Sequence, residues 1–220
     1  YAAMVESIDN SVGRVLDALR ASGKEDDTVI IFTSDNGGFY KATSNAPLRA
    51  NKGAYYEGGI RVPLIIKWPG VSHAGRVIHE PVISNDLYPT CLSAGGLALL
   101  PNQHSDGVNL KSLLADAESL PPRSLFWHFP HYNKHPSSHP SSVIRKGDWK
   151  LIESFDPAVV ELYNLKTDLS ETMDLAEKQP DRRDTLLKEL ETWRISVRAE
   201  HMLPNPNFAP GANEENAAGR

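Results

Sequence analysis

Two adjacent oxygen-donor side chains, Asp35 and Asn36, follow an apolar, β-branched run at residues 28–33. The glycines at 37 and 38 allow the backbone to turn tightly behind them. A carboxylate and an amide oxygen are hard ligands that suit Ca²⁺ or Mg²⁺. The same residue types also favour ordinary turns, and two oxygens do not fill the roughly six to eight positions around calcium. A metal site here therefore needs ligands from elsewhere.

A second candidate group consists of histidines in a proline-containing segment, at positions 128, 131, 135 and 139. A zinc site is conceivable, but the prolines prevent helical spacing and no Cys or Glu is arranged beside the histidines. We therefore interpret His135 and His139 as polar loop residues. The single cysteine, Cys91, falls in an apolar stretch and is interpreted as a small hydrophobe rather than a nucleophile.

Local patterns predict the elements that position these side chains. Apolar residues at helical spacing over 4–19 predict a helix that stops near Gly23. Residues 28–33 predict a strand buried on both faces of a parallel sheet, and residues 61–67 predict another strand. A short helix is expected over 86–92. A helix followed by a buried strand is typical of α/β folds, whose ligand sites lie at the carboxyl ends of strands.

The composition changes to that of a loop over residues 101–122, and we predict a domain boundary there. Beyond it, short apolar runs predict antiparallel strands at 124–129, 142–145, 149–152 and 161–165, followed by a helix over 186–193. We therefore predict an α/β core over residues 1–120 and a small α+β subdomain with an antiparallel sheet over 121–203. The Pro-, Gly- and Asn-rich tail, 204–220, is expected to be disordered.

The composition is that of an ordinary globular protein, with 220 residues, 40% hydrophobic and 23% charged. The net charge of -5, without a Lys/Arg block, gives no electrostatic footprint for phosphate backbones, so no nucleic-acid partner is expected. No apolar run approaches the roughly 20 residues that span a bilayer. The sequence has no initiator Met and begins inside an amphipathic pattern, so we expect that it is cut from a longer chain.

Three blocks follow one another in order: Thr-Ser-Asp-Asn-Gly-Gly at 33–38, Leu-Arg-Ala-Asn-Lys-Gly at 48–53, and Tyr-Glu-Gly-Gly-Ile-Arg-Val-Pro-Leu at 56–64. This order resembles the type I sulfatases of the alkaline phosphatase superfamily. The likeness continues at residues 86–90, 147–151 and 161–165, and covers residues 1–200. Ordered matches at separate places are more specific than any single motif. The resemblance implies a partial alkaline-phosphatase-like parallel-sheet core.

By this resemblance, Asp35 and Asn36 are two ligands of a calcium ion that binds the sulfate group. Lys52 is implied to contact a sulfate oxygen, as a catalytic and substrate-binding residue. An ammonium is a compact point charge that suits an oxyanion, which agrees with this role. The segment around His128 and His131 resembles the stretch with which many carbohydrate-acting sulfatases approach the substrate cleft. Both histidines are therefore expected to contact the substrate.

The third block also carries Glu57, two glycines and Arg61, which match the family pattern. A structural account suffices for them. Glycines allow a close approach of two backbone segments, and an Arg–Glu pair braces the loop. We predict structural support rather than chemistry from these residues.

The nucleophile of this family is a formylglycine made from the Cys or Ser of a Cys/Ser-x-Pro-x-Arg motif. Residues 119–123 fit that pattern literally. We reject Ser119, because the family's motif opens a helix near the start of the domain, whereas Ser119 leads into an apolar strand. The resemblance implies that the nucleophile, the first pair of calcium-binding aspartates and the other sulfate-binding Lys and His residues lie upstream of this chain.

The resemblance implies that the full-length protein hydrolyses a sulfate ester, with a sulfated carbohydrate expected rather than a simple aryl sulfate. The chain alone is expected to be inactive. Two alternatives stay open: a phosphodiesterase or phosphonate hydrolase of the same superfamily, and a non-catalytic sulfate- or sugar-binding relative. The resemblance also implies a periplasmic or secreted location.

Overall fold

The computed structural model describes residues 1–117 and 119–203. Its helices are α1 (Ala2–Ala21), α2 (Glu57–Ile60), α3 (Leu87–Ala94), α4 (Lys111–Ala115) and α5 (Pro180–Ser196). Its strands are β1 (Ile30–Thr33), β2 (Leu64–Lys67), β3 (Ser124–Phe129), β4 (Ser141–Lys146), β5 (Trp149–Phe155) and β6 (Ala158–Asn164). The tail predicted to be disordered, 204–220, lies outside the described residues. Among the described helices, none is long and apolar enough to cross a membrane.

The first sheet contains β1 and β2, and its geometry differs from the parallel arrangement expected for β1. The α/β class is confirmed, but β1 pairs antiparallel with β2, with Ile31 opposite Ile66. The reason is that the chain turns back after the long loop from residue 34 to residue 63. β1 is also less buried than predicted, with Phe32 40% exposed, because β2 is its one neighbouring strand among the described residues.

Helix α1 is confirmed and slightly longer than predicted, and the chain leaves it through Gly23, whose φ is +64°. Such a positive φ is what glycine adopts without strain. Several apolar residues of α1 are exposed, with Met4 at 66% and Ile8 at 54%, whereas Leu16 and Leu19 are half-buried. The described part of the chain therefore covers the apolar face of α1 only in part.

The second sheet is antiparallel, as the sequence predicts, and its strand order is β3-β4-β5-β6. One face packs against α5, in a core that includes Ile144, Leu151 and Leu190. Alternate strand residues point to the other face, where Tyr163 packs with Tyr55 from the segment before α2. The sheet therefore lies between α5 on one side and the segment that leads into α2 on the other.

Asp86 stabilises the connection between the two sheets through hydrogen bonds. Its buried carboxylate accepts hydrogen bonds from the guanidinium of Arg123 at 2.7 and 2.6 Å. It also accepts the backbone N–H of Ile83 at 2.9 Å, which is a capping contact before α3. The domain boundary predicted at residue 120 lies between α4 and β3. The ion pair of Asp86 with Arg123 joins the two sides of that boundary, which stays a prediction.

Two further sequence interpretations concern single residues. Ser119 lies in an irregular connection, and the next regular element is the strand β3 rather than a helix, which supports its rejection as a nucleophile. Cys91 lies in α3 but is exposed, so it does not pack as the small hydrophobe that we expected. The reason is that the buried residues of α3, Pro89 and Thr90, lie elsewhere on this short helix.

Candidate functional site

The turn after β1 presents Asp35 and Asn36 at the carboxyl end of the strand. Ser34 shapes the turn by donating its hydroxyl to the carbonyl of Asn36 at 2.8 Å. Asp35 is exposed and Asn36 is half-buried. Among the described residues, no cluster of three or more His, Cys, Asp or Glu side chains could hold a metal ion. The turn therefore offers two hard oxygen donors and needs others to complete a cation site.

The backbones of the three motif blocks pack closely against one another. Gly37 donates its N–H to the carbonyl of Gly59 at 2.9 Å. A Cβ atom added at Gly37 would lie 1.8 Å from the carbonyl oxygen of Gly58. One added at Gly58 would lie 2.2 Å from the carbonyl oxygen of Ala50. No side chain fits at these approaches, which explains why Gly37 of the first block and Gly58 of the third are glycines.

Asn45 joins the same segments, although nothing in its local sequence singles it out. Its side-chain amide donates to the carbonyl of Gly58 at 2.8 Å. Its side-chain carbonyl accepts the N–H of Gly38 at 3.3 Å. The hydrogen-bond partners of Asn45 lie 7 and 13 residues away in the sequence. A single Asn in a polar loop therefore has no local pattern that predicts this role. Asn45 therefore holds the turn of Asp35 against the segment that leads into α2.

Lys52 lies beside that turn. Its backbone N–H donates to the carbonyl of Gly38 at 3.0 Å. Its side chain is exposed, and its ammonium forms no ion pair within the described residues. The structure therefore brings the lysine segment and the Asp35 turn together, as one short unit of the fold.

Arg49 anchors the start of the lysine segment on the second sheet. Its guanidinium donates to the hydroxyl of Tyr163 at 2.9 Å and to the carbonyl of Glu171 at 2.7 Å. It also lies 3.7 Å from the ring centroid of Tyr56, within cation–π range. Burial, with the neighbouring Glu161 carboxylate, raises the pKa of Tyr56, so its phenol stays protonated and donates to Glu161 at 2.9 Å.

A buried ion network anchors the end of the same segment. The ammonium of Lys150, on β5, lies 3.0 Å from Glu57 and 2.8 Å from Glu171. The backbone N–H of Glu57 donates to the carboxylate of Glu171 at 2.6 Å. Arg61 and Arg145 lie 3.7 and 3.6 Å from the second oxygen of Glu57. The predicted pair of Glu57 with Arg61 is thus confirmed as part of a larger network.

Burial raises the pKa of Glu171, although the Lys150 ammonium opposes the shift. The sequence did not single out Lys150 or Glu171 as members of a network. An isolated lysine in a strand ordinarily points to solvent, and its burial is possible because two carboxylates arrive from distant segments. No local pattern reports that arrangement.

The two histidines expected to contact substrate lie in different settings. The ring of His128 bonds to the hydroxyl of Ser142 at 2.7 Å and, through its other nitrogen, to the carbonyl of Glu200 at 2.7 Å. A substrate contact by His128 would require one of these bonds to break, and it stays a prediction. His131 is exposed and packs edge-on against Phe129, with ring centroids 5.1 Å apart.

The histidine loop, residues 130–140, packs directly against the residue after Lys52. Asn133 donates its amide to the carbonyl of Gly53 at 2.8 Å. His135 lies in this loop as interpreted, but it is buried and packs against Tyr40 with ring centroids 5.2 Å apart. Burial lowers the pKa of His135 and favours the neutral ring. The histidine loop therefore borders the lysine segment. The sequence did not predict this contact.

Comparisons with known proteins cover both parts of the chain. A family model described as "Sulfatase" matches residues 1–97. A second, described as "N-sulphoglucosamine sulphohydrolase, C-terminal", matches residues 50–197. A protein of Formosa agariphila named "Sulfatase" is 42% identical over an alignment of 223 positions, which covers 90% of this chain and 40% of that protein. Arylsulfatase H of Homo sapiens is 40% identical over an alignment of 138 positions, which covers 59% of this chain and 25% of that protein.

Several solved structures share the fold of this chain. Ps i-CgsB in complex with k-i-k-neocarrahexaose superposes with a TM-score of 0.73 and 32% identity, covering 88% of this chain and 42% of that one. BT4656 in complex with its substrate D-glucosamine-2-N,6-O-disulfate has a TM-score of 0.72 and 26% identity, covering 90% and 40%. The phosphonate monoester hydrolase SpPMH, at 22% identity, shows the fold alone. The chain spans about 40% of the length of the Formosa protein and of these first structures.

Proposed function

The chain belongs to the sulfatase family, and from that premise we propose that it is part of an enzyme that hydrolyses the sulfate ester of a carbohydrate. One observation carries the proposal: the hydrogen bond from Lys52 to Gly38 holds the lysine beside the turn of Asp35 and Asn36. An exposed ammonium beside two oxygen ligands suits an anionic ester held on a cation. The nucleophile is proposed to lie outside this chain, because Ser119 is in an irregular connection.

Asp35 and Asn36 are proposed as two of the ligands of calcium. The donor set fits that ion, because it combines a carboxylate with an amide oxygen at a strand end where both are accessible. Calcium bound there supplies positive charge to the sulfate oxygens. The two side chains orient that charge, and the glycine contacts behind them keep the turn from shifting.

Lys52 is proposed to contact a sulfate oxygen. Charge on the transferring group is common to every sulfate ester, so an ammonium aimed at it stabilises the transition state whatever alcohol leaves. The loop that carries Lys52 is fixed at both ends, by Arg49 and by Glu57. A fixed position matters because preorganised charge acts without reorganisation during the reaction.

The histidine loop is proposed to contact the sugar. Asn133 holds this loop against Gly53, so the exposed ring of His131 is carried by the same loop that borders the lysine segment. An imidazole beside the aromatic ring of Phe129 suits a sugar, which offers hydroxyls and apolar C–H faces. His128 is retained as a second candidate contact. By family resemblance alone, we also propose a periplasmic or secreted location.

The test is Lys52→Ala in the protein that contains this chain and the rest of the catalytic domain. We expect kcat/KM to fall roughly 100-fold for both nitrophenyl sulfate and a sugar sulfate, as when one preorganised donor is removed. Lys67→Ala is the matched control, because Lys67 is also an exposed lysine but pairs with Ile30 at the opposite end of β1. It should change neither rate.

Three outcomes contradict the proposal. Unchanged rates in Lys52→Ala would remove the lysine from the site. Faster hydrolysis of a phosphonate monoester than of any sulfate ester would favour the phosphonate hydrolase alternative. Calcium-dependent binding of a sulfated sugar without any hydrolysis would favour the non-catalytic alternative.

A further inference from the structure

The lysine loop, residues 49–57, is attached to the second sheet by charged groups at its two ends. Arg49 bonds to Tyr163 and Glu171 at one end. At the other end, Glu57 meets Lys150 from β5. Lys52 lies between these anchors, and its own side chain contacts neither.

Lys150 is the central charge of the second anchor. It is 0% exposed, and its ammonium lies within 3.0 Å of Glu57 and 2.8 Å of Glu171. A buried ammonium is costly unless it is paired, and two buried carboxylates repel each other unless a cation lies between them. Each group of this network therefore requires the others. The result is one preferred arrangement of the segment that carries Glu57 on the sheet.

Backbone hydrogen bonds join the two sides of the lysine loop, so a shift of Glu57 would also move Lys52. Gly58 donates its N–H to the carbonyl of Arg49 at 2.8 Å, and Ala54 donates to Asn51 at 3.1 Å. Ala54 is buried, and a Cβ atom at Gly59 would lie 2.0 Å from its carbonyl oxygen. These backbone contacts leave little room for α2 to move without moving the loop.

We propose that Lys150 is a positioning residue for Lys52: by bridging Glu57 and Glu171, it fixes the lysine loop in the place where Lys52 meets the sulfate group. This inference rests on the proposed function of Lys52. It assigns to the second sheet a role in placing the sulfate-binding charge, in addition to any contact of the histidine loop with the sugar.

The experiment compares Lys150→Met with Arg194→Met in the protein that contains this chain. Arg194 is the matched control, because it is also buried and pairs with two carboxylates, Glu153 and Glu191, away from the lysine loop. Both variants should lower Tm. Only Lys150→Met should accelerate hydrogen exchange in residues 49–57 and lower kcat and kcat/KM together, roughly 10- to 100-fold, for nitrophenyl sulfate.

The proposal is overturned if Lys150→Met leaves loop exchange and kcat/KM unchanged, or if Arg194→Met alters both to the same degree. Should Lys150→Met fail to fold, Lys150→Met with Glu171→Gln removes the ammonium together with one carboxylate and keeps an oxygen to accept the N–H of Glu57. In that double variant we expect folding to recover while loop exchange stays fast and kcat stays low. Recovery of all three would show that Lys150 supports the fold alone.

Failure of the underlying function is recognised separately. If Lys52→Ala leaves sulfate ester hydrolysis intact, the proposed role of Lys52 is wrong. Loop exchange in Lys150→Met then still reports whether Lys150 fixes the loop, because that measurement does not depend on turnover.

Discussion

The backbone N–H of Lys52 donates a hydrogen bond to the carbonyl oxygen of Gly38 at 3.0 Å. Gly38 closes the turn that carries Asp35 and Asn36. The turn proposed to hold calcium and the lysine proposed to contact sulfate are thereby held side by side through main-chain contacts. Side-chain substitutions at Asp35 or Lys52 should therefore change the chemistry of the site without removing this link.

The first prediction concerns the metal. Asp35→Ala should weaken calcium binding at least roughly 10-fold and lower activity with it, because it removes a charged ligand, and even outer-shell changes have effects of that size. Calorimetric titration of the protein that contains this chain measures the affinity. Asp27→Ala, at the opposite end of β1, is the control and should bind calcium normally. Equal affinity in Asp35→Ala would remove Asp35 from the metal site.

The second prediction concerns substrate selectivity. His131→Ala should lower kcat/KM more for a sugar sulfate than for nitrophenyl sulfate, because a sugar contact helps only substrates that have the sugar. His128→Ala follows the same pattern if its ring reaches the substrate. If the hydrogen bonds of His128 to Ser142 and Glu200 are its main role, Tm falls and both substrates are affected equally. The same equal loss in His131→Ala would exclude the sugar contact.

The third prediction concerns backbone packing. Gly58→Ala should destabilise the fold by about 1–3 kcal/mol, because its Cβ atom would lie 2.2 Å from the carbonyl of Ala50 and 2.5 Å from that of Arg49. Gly13→Ala is the control. Gly13 lies inside α1 with nothing within 4 Å of an added Cβ, so this variant should be neutral or more stable. Denaturant unfolding measures both, and equal effects would contradict the packing at Gly58.

The fourth prediction concerns pH. Burial raises the pKa of Glu171 above its ordinary value of 4.5, so the folded state holds this proton more tightly than the unfolded state. Its contribution to stability is therefore largest in acid and is lost as pH rises through the folded pKa. The unfolding free energy of the wild type, relative to Glu171→Gln, should therefore fall as the pH rises above about 4.5.

Glu189 provides a control of opposite sign for this measurement. Burial works to raise the pKa of Glu189, but hydrogen bonds from Lys146 and Ser124 lower it overall. The contribution of Glu189 to the stability of the fold is therefore present above the ordinary pKa of 4.5 and is lost as the pH falls. A wild-type advantage over Glu171→Gln that grows with pH, as expected for Glu189→Gln, would contradict the raised pKa of Glu171.

Local patterns determined much of the secondary structure. The strand predicted over 124–129 is β3 itself, and the predicted helix after Asp86 ends before the glycine pair at 95 and 96. Such elements follow from side-chain period and turn residues, which depend on neighbours along the chain. The order of the motif blocks likewise indicated Asp35, Asn36 and Lys52 from the sequence alone. Those site assignments stay predictions.

The tertiary structure alone decided the relationships between distant segments. It determined that β1 pairs antiparallel with β2, that Asn133 reaches Gly53, and that Lys150 is buried between two carboxylates. The physical reason is that a lone lysine or asparagine has the same local pattern whether it faces water or a distant partner. Its burial becomes favourable only when folding brings the matching charge or carbonyl to it.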